Sequence, residues 1–309
     1  RQQLDSILMN RQPSRPPRWS VRVVLILGVA TWCGHGAAPV PELDVAGSSR
    51  LLPAPGSSSP LARTWRTEEG LPHPTVLAIR PLANGYLLVG TAAGLARFDG
   101  VRFTTIEVGD GKSGGRPEIT ALHEDHRGAV WVGTRGEGLF RWSEGTWRQF
   151  DRSTGLLDST VSSLAETEEG GVWIGTTAGL NRFQDGRLEA FTGQEGLPDE
   201  AIVGLHAGRR GNLWITTRTG VIQFSRGRFE PFEAVQVSQG RSTEFLGVYE
   251  DRTGALWAYG DTFLLNLTEG RRFNYFASND PSAARVWTIF EDRGGSLWIK
   301  QAGSFSNLG

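Results

Sequence analysis

The sequence predicts an all-β, repeat-built fold, a β-propeller of four-stranded antiparallel blades. Three observations predict it: a motif with a period of about 42 residues, a glycine at one fixed place in each copy, and a composition of many turn formers and large aromatics. The motif is W-[IV]-G-T. With its aromatic in register the anchors are Trp131, Trp173, Trp214, Trp257 and Trp298, and Leu88 fills the slot in the first unit. The intervals are 43, 42, 41, 43 and 41 residues, the length of a propeller blade and too long for leucine-rich or ankyrin units. Three residues before each anchor stands Gly85, Gly128, Gly170, Gly211, Gly254 or Gly295, the residue that a tight turn needs where φ is positive. The chain holds 41 Gly and 11 Trp but one Met and one Cys, a mix that suits short strands and turns better than long helices.

Taken from its start, the chain first reads as an export signal. Arg11, Arg15, Arg18 and Arg22 precede an apolar run from Val23 to Trp32, and Gly36, Ala37 and Ala38 follow. This order is that of a secretory signal peptide over 1–38, with 1–8, ahead of Met9, as extraneous residues. An uncleaved signal anchor and lipidation on Cys33 stay open as alternatives, although Trp32 is large for a lipidation site. Cleavage after Ala38 would remove the only Cys, which suits an oxidising compartment. Residues 39–60, rich in Pro, Ser and Gly, read as a flexible linker, and 61–309 as the propeller.

The second unit shows how a repeat becomes a sheet. Residues 119–125 alternate apolar and polar, 126–128 turn, 129–134 form a buried strand, and 138–144 and 146–150 supply a third and a fourth. One such sheet exposes two apolar faces, and stacking it against neighbours around an axis covers both. Leu88, Trp131, Trp173, Trp214, Trp257 and Trp298 are accordingly expected to be structural anchors between blades. Second turns at Asp99-Gly100, Glu144-Gly145, Asp185-Gly186, Arg226-Gly227 and Glu269-Gly270 are hairpin signals. Six blades are visible. Residues 61–67 align with a fourth strand and could complete the sixth blade and close a ring of six, but a ring of seven blades truncated at the C-terminus is the favoured reading.

The strings EDHRGAVWVGTRGEGLFRW, EEGGVWIGTTAGLNRF and GYLLVGTAAGLARFDGVRF, with the connectors EEGLPHPTV and QEGLPDEAI, resemble the two-component regulator propeller repeats of bacterial sensor proteins. The resemblance covers 61–309 and is strongest in the first three units. It implies a periplasmic or extracellular sensor that binds a small molecule or oligosaccharide, in a longer protein anchored in the inner membrane. It also implies C-terminal membrane and kinase or cyclase domains beyond this fragment, with dimerisation through those domains open. The alternative is a secreted lyase resembling the streptogramin lyases.

The residues offer no catalytic signature. The five His are scattered with no H-x-x-x-H or Cys partner, so no metal, cofactor or catalytic residue is expected. A formal charge of -1 gives no reason to expect nucleic acid. Pairs such as Glu124-Asp125, Glu250-Asp251 and Glu291-Asp292 recur at one repeat position ahead of a turn and read as turn caps. In a propeller the fourth-to-first and second-to-third connections share one face. His73, Glu118, Asp158 and Asp199 lie on the former and Arg135, Glu137 and Arg218 on the latter, so these seven are the candidate ligand-binding residues, for a polyhydroxylated or anionic molecule.

Overall fold

The computed structural model describes residues 65, 67–110, 116–218, 220–232, 245–260, 263–269, 271–273, 286–292, 294–301 and 304–307. The expected signal peptide over 1–38 and linker over 39–60 lie outside the described residues. Blade 1 is β1 (Val76–Pro81), β2 (Leu87–Thr91), β3 (Gly94–Phe98) and β4 (Phe103–Ile106). Blade 2 is β5 (Ile119–Glu124), β6 (Val130–Thr134), β7 (Leu139–Ser143) and β8 (Thr146–Phe150). Blade 3 is β9 (Val161–Glu166), β10 (Val172–Thr176), β11 (Gly179–Gln184) and β12 (Arg187–Phe191). Blade 4 is β13 (Ile202–Ala207), β14 (Leu213–Thr217), β15 (Val221–Ser225) and β16 (Arg228–Pro231). Blade 5 is β17 (Phe245–Glu250), β18 (Leu256–Gly260), β19 (Leu264–Asn266) and β20 (Arg271–Phe273). Each is an antiparallel meander. The first strands pack in series, β1 on β5, β5 on β9, β9 on β13, β13 on β17 and β17 on β21 (Val286–Glu291).

The expectation of six blades is corrected to five. The sixth sheet has three strands, β21, β22 (Leu297–Gln301) and β23 (Ser304–Asn307). Of the segment expected to supply its fourth strand, 61–67, the described residues are Trp65 and Thr67, and neither is in a strand. Trp65 instead packs edge-on against Phe98 of blade 1, with ring centroids 5.1 Å apart, and Thr67 opens a 3-10 turn.

Repeat chemistry explains the rest. Gly85, Gly128, Gly170, Gly211, Gly254 and Gly295 all have φ between 76° and 88°. Glu144-Gly145, Asp185-Gly186 and Arg226-Gly227 have positive φ at both residues, the twist that a two-residue hairpin needs. Trp131 and Trp173 are fully buried. Trp131 lies 4.9 Å from Phe183 of blade 3, and Trp173 4.8 Å from Phe224 of blade 4. The Gly of W-[IV]-G-T has a purpose as well. A Cβ on Gly90, Gly133 or Gly175 would come within 2.6–2.7 Å of Ile119, Val161 or Ile202, the first residue of the next blade's first strand. Where the motif departs in blade 5, Tyr259 fills the slot, bonds Thr288 of the sixth sheet, and burial pushes its phenol up to about 12.

Two carboxylate columns fasten the ring. Asp125 Oδ1 accepts the amides of Arg127 and Ala129, and its Oδ2 accepts the Trp131 indole N–H at 2.8 Å. Asp251 and Asp292 cap their own turns and bond Trp257 and Trp298 in the same way. The Glu just before this Asp column reaches backward. Glu124, Glu166, Glu250 and Glu291 accept the turn amides of Ala83, His126, Arg209 and Arg252 in the preceding blade. Ala207 breaks the series between blades 3 and 4.

Blade 4 carries Gly208 where the Asp would stand, and Glu250 of blade 5 takes the Trp214 indole at 2.9 Å. A Cβ on Gly208 would sit 2.5 Å from Glu250 Oε2 and 2.6 Å from Trp214 Nε1. Its φ of -80° suits any residue, so the obstacle is space alone. Gly208→Ala should therefore cost about 1–3 kcal/mol of stability by overpacking, read from the denaturant midpoint.

Candidate functional site

The seven expected ligand residues lie on the predicted loop face, where connections of adjacent blades interlock. Gly136 and Gly138 of the second-to-third-strand loop in blade 2 donate to the Ser159 carbonyl ahead of blade 3. Of the seven, Glu118 and Arg135 meet in an ion pair of 2.8 Å at the surface. Asp158 pairs with Arg152 and accepts the Thr160 amide, and although burial raises its carboxyl, these bonds hold it below the usual range. His73 accepts the Thr75 amide, Asp199 that of Ala201, and the Glu137 carbonyl accepts Gln149. Arg218 is exposed. The structure thus spreads these residues over separate loops, each with local work.

A cavity of about 430 Å³ lies instead on the opposite face, between blades 2 and 3. It opens among the first-to-second-strand turns of both blades and the β11–β12 hairpin. At its edge Glu166 crosses from blade 3 to blade 2. Its Oε1 accepts His126 Nδ1–H at 2.5 Å, and its Oε2 accepts the His126 amide and lies 3.4 Å from His123 Nε2. Arg127 Nε donates to His126 Nε2, so Nε2 accepts and Nδ1 is the ring donor toward Glu166. Sequence reasoning assigned His126 only to a turn and left Glu166 unused. The signal was available in the column Glu124, Glu166, Glu250 and Glu291, one to two periods apart.

His123 and His206 occupy one repeat column, and both point to the next blade. His206 Nε2 accepts the Glu250 amide at 3.1 Å. Burial lowers its imidazole and also that of His123, where the Arg80 guanidinium adds to the effect. The folded state therefore binds fewer protons than the unfolded chain, whose His titrate near 6.5. Unfolding free energy should be flat above about pH 7 and fall from there toward pH 5. His206→Gln should flatten that fall, as chemical denaturation at stepped pH will show.

Two of the repeats are similar to a known family. Residues 114–136 and 155–178, which contain the Asp125 turn, the Trp131 and Trp173 anchors and the Glu166 crossing, match the family described as two component regulator propeller. Comparison with curated proteins finds no match. Among solved structures the fold is similar to the extracellular domain of a protein assigned as a hybrid two component system of B. thetaiotaomicron. Identity is 22% over 75% of this chain and 33% of that one, with a TM-score of 0.62, so the chain spans about a third of that protein's length. It is also similar to virginiamycin B lyase from Staphylococcus aureus, at 16% identity over 76% of this chain and 80% of that one, TM-score 0.61. PorZ, a surface component of the type-IX secretion system of Porphyromonas gingivalis, matches at 14% over 78% and 40%, TM-score 0.59. These likenesses show the propeller fold. No helix of the described residues is long and apolar enough to cross a membrane.

Proposed function

We propose that the two component regulator propeller of this chain is the extracytoplasmic sensing module of a bacterial signal-transduction protein, with membrane and kinase or cyclase domains C-terminal to it. The observation that carries the reading is the repeat match over the Asp-Trp turn and the strands that follow. The B. thetaiotaomicron neighbour, an extracellular domain of a longer chain, supports it. Likeness to the lyases is of fold alone and brings no catalytic residue across. The loop face is the proposed surface for a small-molecule or oligosaccharide ligand, with His73, Glu118, Arg135, Glu137, Asp158, Asp199 and Arg218 around it and export through the segment 1–38. Such a surface is polar and mixed in charge, which fits hydroxylated or anionic groups.

Location is tested by adding protease to intact spheroplasts of the source cell. The propeller should be degraded while a cytoplasmic marker survives, and a protected propeller would contradict the reading. For the loop face, thermal-shift screening against sugars and organic acids should yield a ligand. Arg135→Ala combined with Arg218→Ala should then abolish its shift, and an unchanged shift would remove this face.

A further inference from the structure

The cleft between blades 2 and 3 has cations on one wall and exposed carboxylates on the other, and apart from Asp125 of blade 2, whose oxygens accept the amides of its own turn and the Trp131 indole, the separation follows the blade boundary. Blade 3 contributes Glu168 and Glu169 from its first turn and Asp185 from its β11–β12 hairpin, all exposed at the rim. Blade 2 contributes Arg127 and Arg141. Among the described residues, Arg127 bonds His126 and Arg141 bonds Ser143, and no ion pair joins either Arg to Glu168 or Asp185.

Arg141 shows why its charge stays available. Its counterpart in blade 3, Arg182, pairs across the hairpin with Glu189 at 2.6 Å. The residue opposite Arg141 is Arg148, a second cation. The Arg141 guanidinium lies 5.3 Å from the Trp131 ring and 5.8 Å from that of Phe183, and Nη1 donates to Ser143. Its Nε is buried and has no hydrogen-bond partner. With Nε sealed from solvent, a carboxylate in the cleft meets this guanidinium through its Nη atoms.

We propose that this cleft binds a zwitterion of amino-acid to dipeptide size, with its carboxylate on Arg127 and Arg141 and its ammonium among Glu168, Glu169 and Asp185. A volume of about 430 Å³ lies within the range of small-ligand sites, roughly 300–1,000 Å³. The free ends of a short peptide carry the two charges that the walls separate. A sugar meets neither wall, and a dicarboxylate meets one and is repelled by the other. The site is separate from the loop face, being at the opposite ends of the same strands, and stands whether or not that face binds.

The test is calorimetry on the whole chain with L-alanyl-L-alanine, its N-acetyl derivative and its C-terminal amide. The free dipeptide should bind, and each capped form should bind at least about tenfold more weakly. Arg127→Gln and the pair Glu168→Gln with Asp185→Asn change exposed side chains, and each should weaken binding by a similar factor at unchanged melting temperature. Absence of binding, equal affinity for capped and free peptide, or full affinity in these variants would each overturn the site. Such a failure would leave the sensor reading standing, because location and output are measured without this ligand. A propeller protected from protease in spheroplasts, with the free dipeptide still bound, would do the reverse.

Discussion

Trp173→Ala should lower the unfolding free energy by about 3–5 kcal/mol, the range for a large-to-small change in a packed core. The indole is buried and contacts two rings, Phe224 of blade 4 at 4.8 Å and Phe191 of its own blade at 5.4 Å. The Arg182 guanidinium covers it at 5.2 Å. This junction also lacks the carboxylate crossing, because Ala207 stands where the other blades place Glu. Packing therefore holds blades 3 and 4 with less polar help than their neighbours have. Val101→Ser, at a side chain that is 64% exposed, is the control and should change stability by less than about 0.5 kcal/mol. A Trp173→Ala midpoint equal to that of the parent would refute the role of the aromatic anchor.

Asp125→Ala should be nearly as severe, with a loss of about 3 kcal/mol. One carboxylate satisfies three donors, the amides of Arg127 and Ala129 and the indole of Trp131. Removing it orphans the buried indole N–H, and each buried unpaired donor costs about 1–3 kcal/mol. Asp125→Asn keeps an acceptor for the turn but offers an N–H to the indole, so it should fall between the parent and Ala. Urea titrations of the three proteins provide the order. An Asn variant weaker than Ala would show that the account of the turn is wrong.

Much of this was legible in the sequence because a repeat reports each position several times. The glycine column gave the turns, since one backbone conformation admits few other residues, and the Trp column gave the buried strand. Blade number was harder. Residues 61–67 match a fourth strand in pattern, but Trp65 fits equally well as a ring against Phe98, and local pattern cannot choose between partners far apart in sequence. The site was harder still. Charged residues on the loop face look alike in sequence whether they receive a ligand or pair with each other, as Glu118 and Arg135 do. The blade 2 and 3 cleft depends on Arg141 facing Arg148 where Arg182 faces Glu189, a cross-strand register that becomes readable only once strands are paired.

The central claim is that this propeller informs an output across a membrane. Its most direct measurement is a transcript profile of the source bacterium in which residues 61–309 are deleted in frame, compared with the parent in media with and without short peptides and oligosaccharides. The account predicts a defined set of genes that responds in the parent and is fixed, on or off, in the deletion strain. Identical profiles in every medium would contradict it.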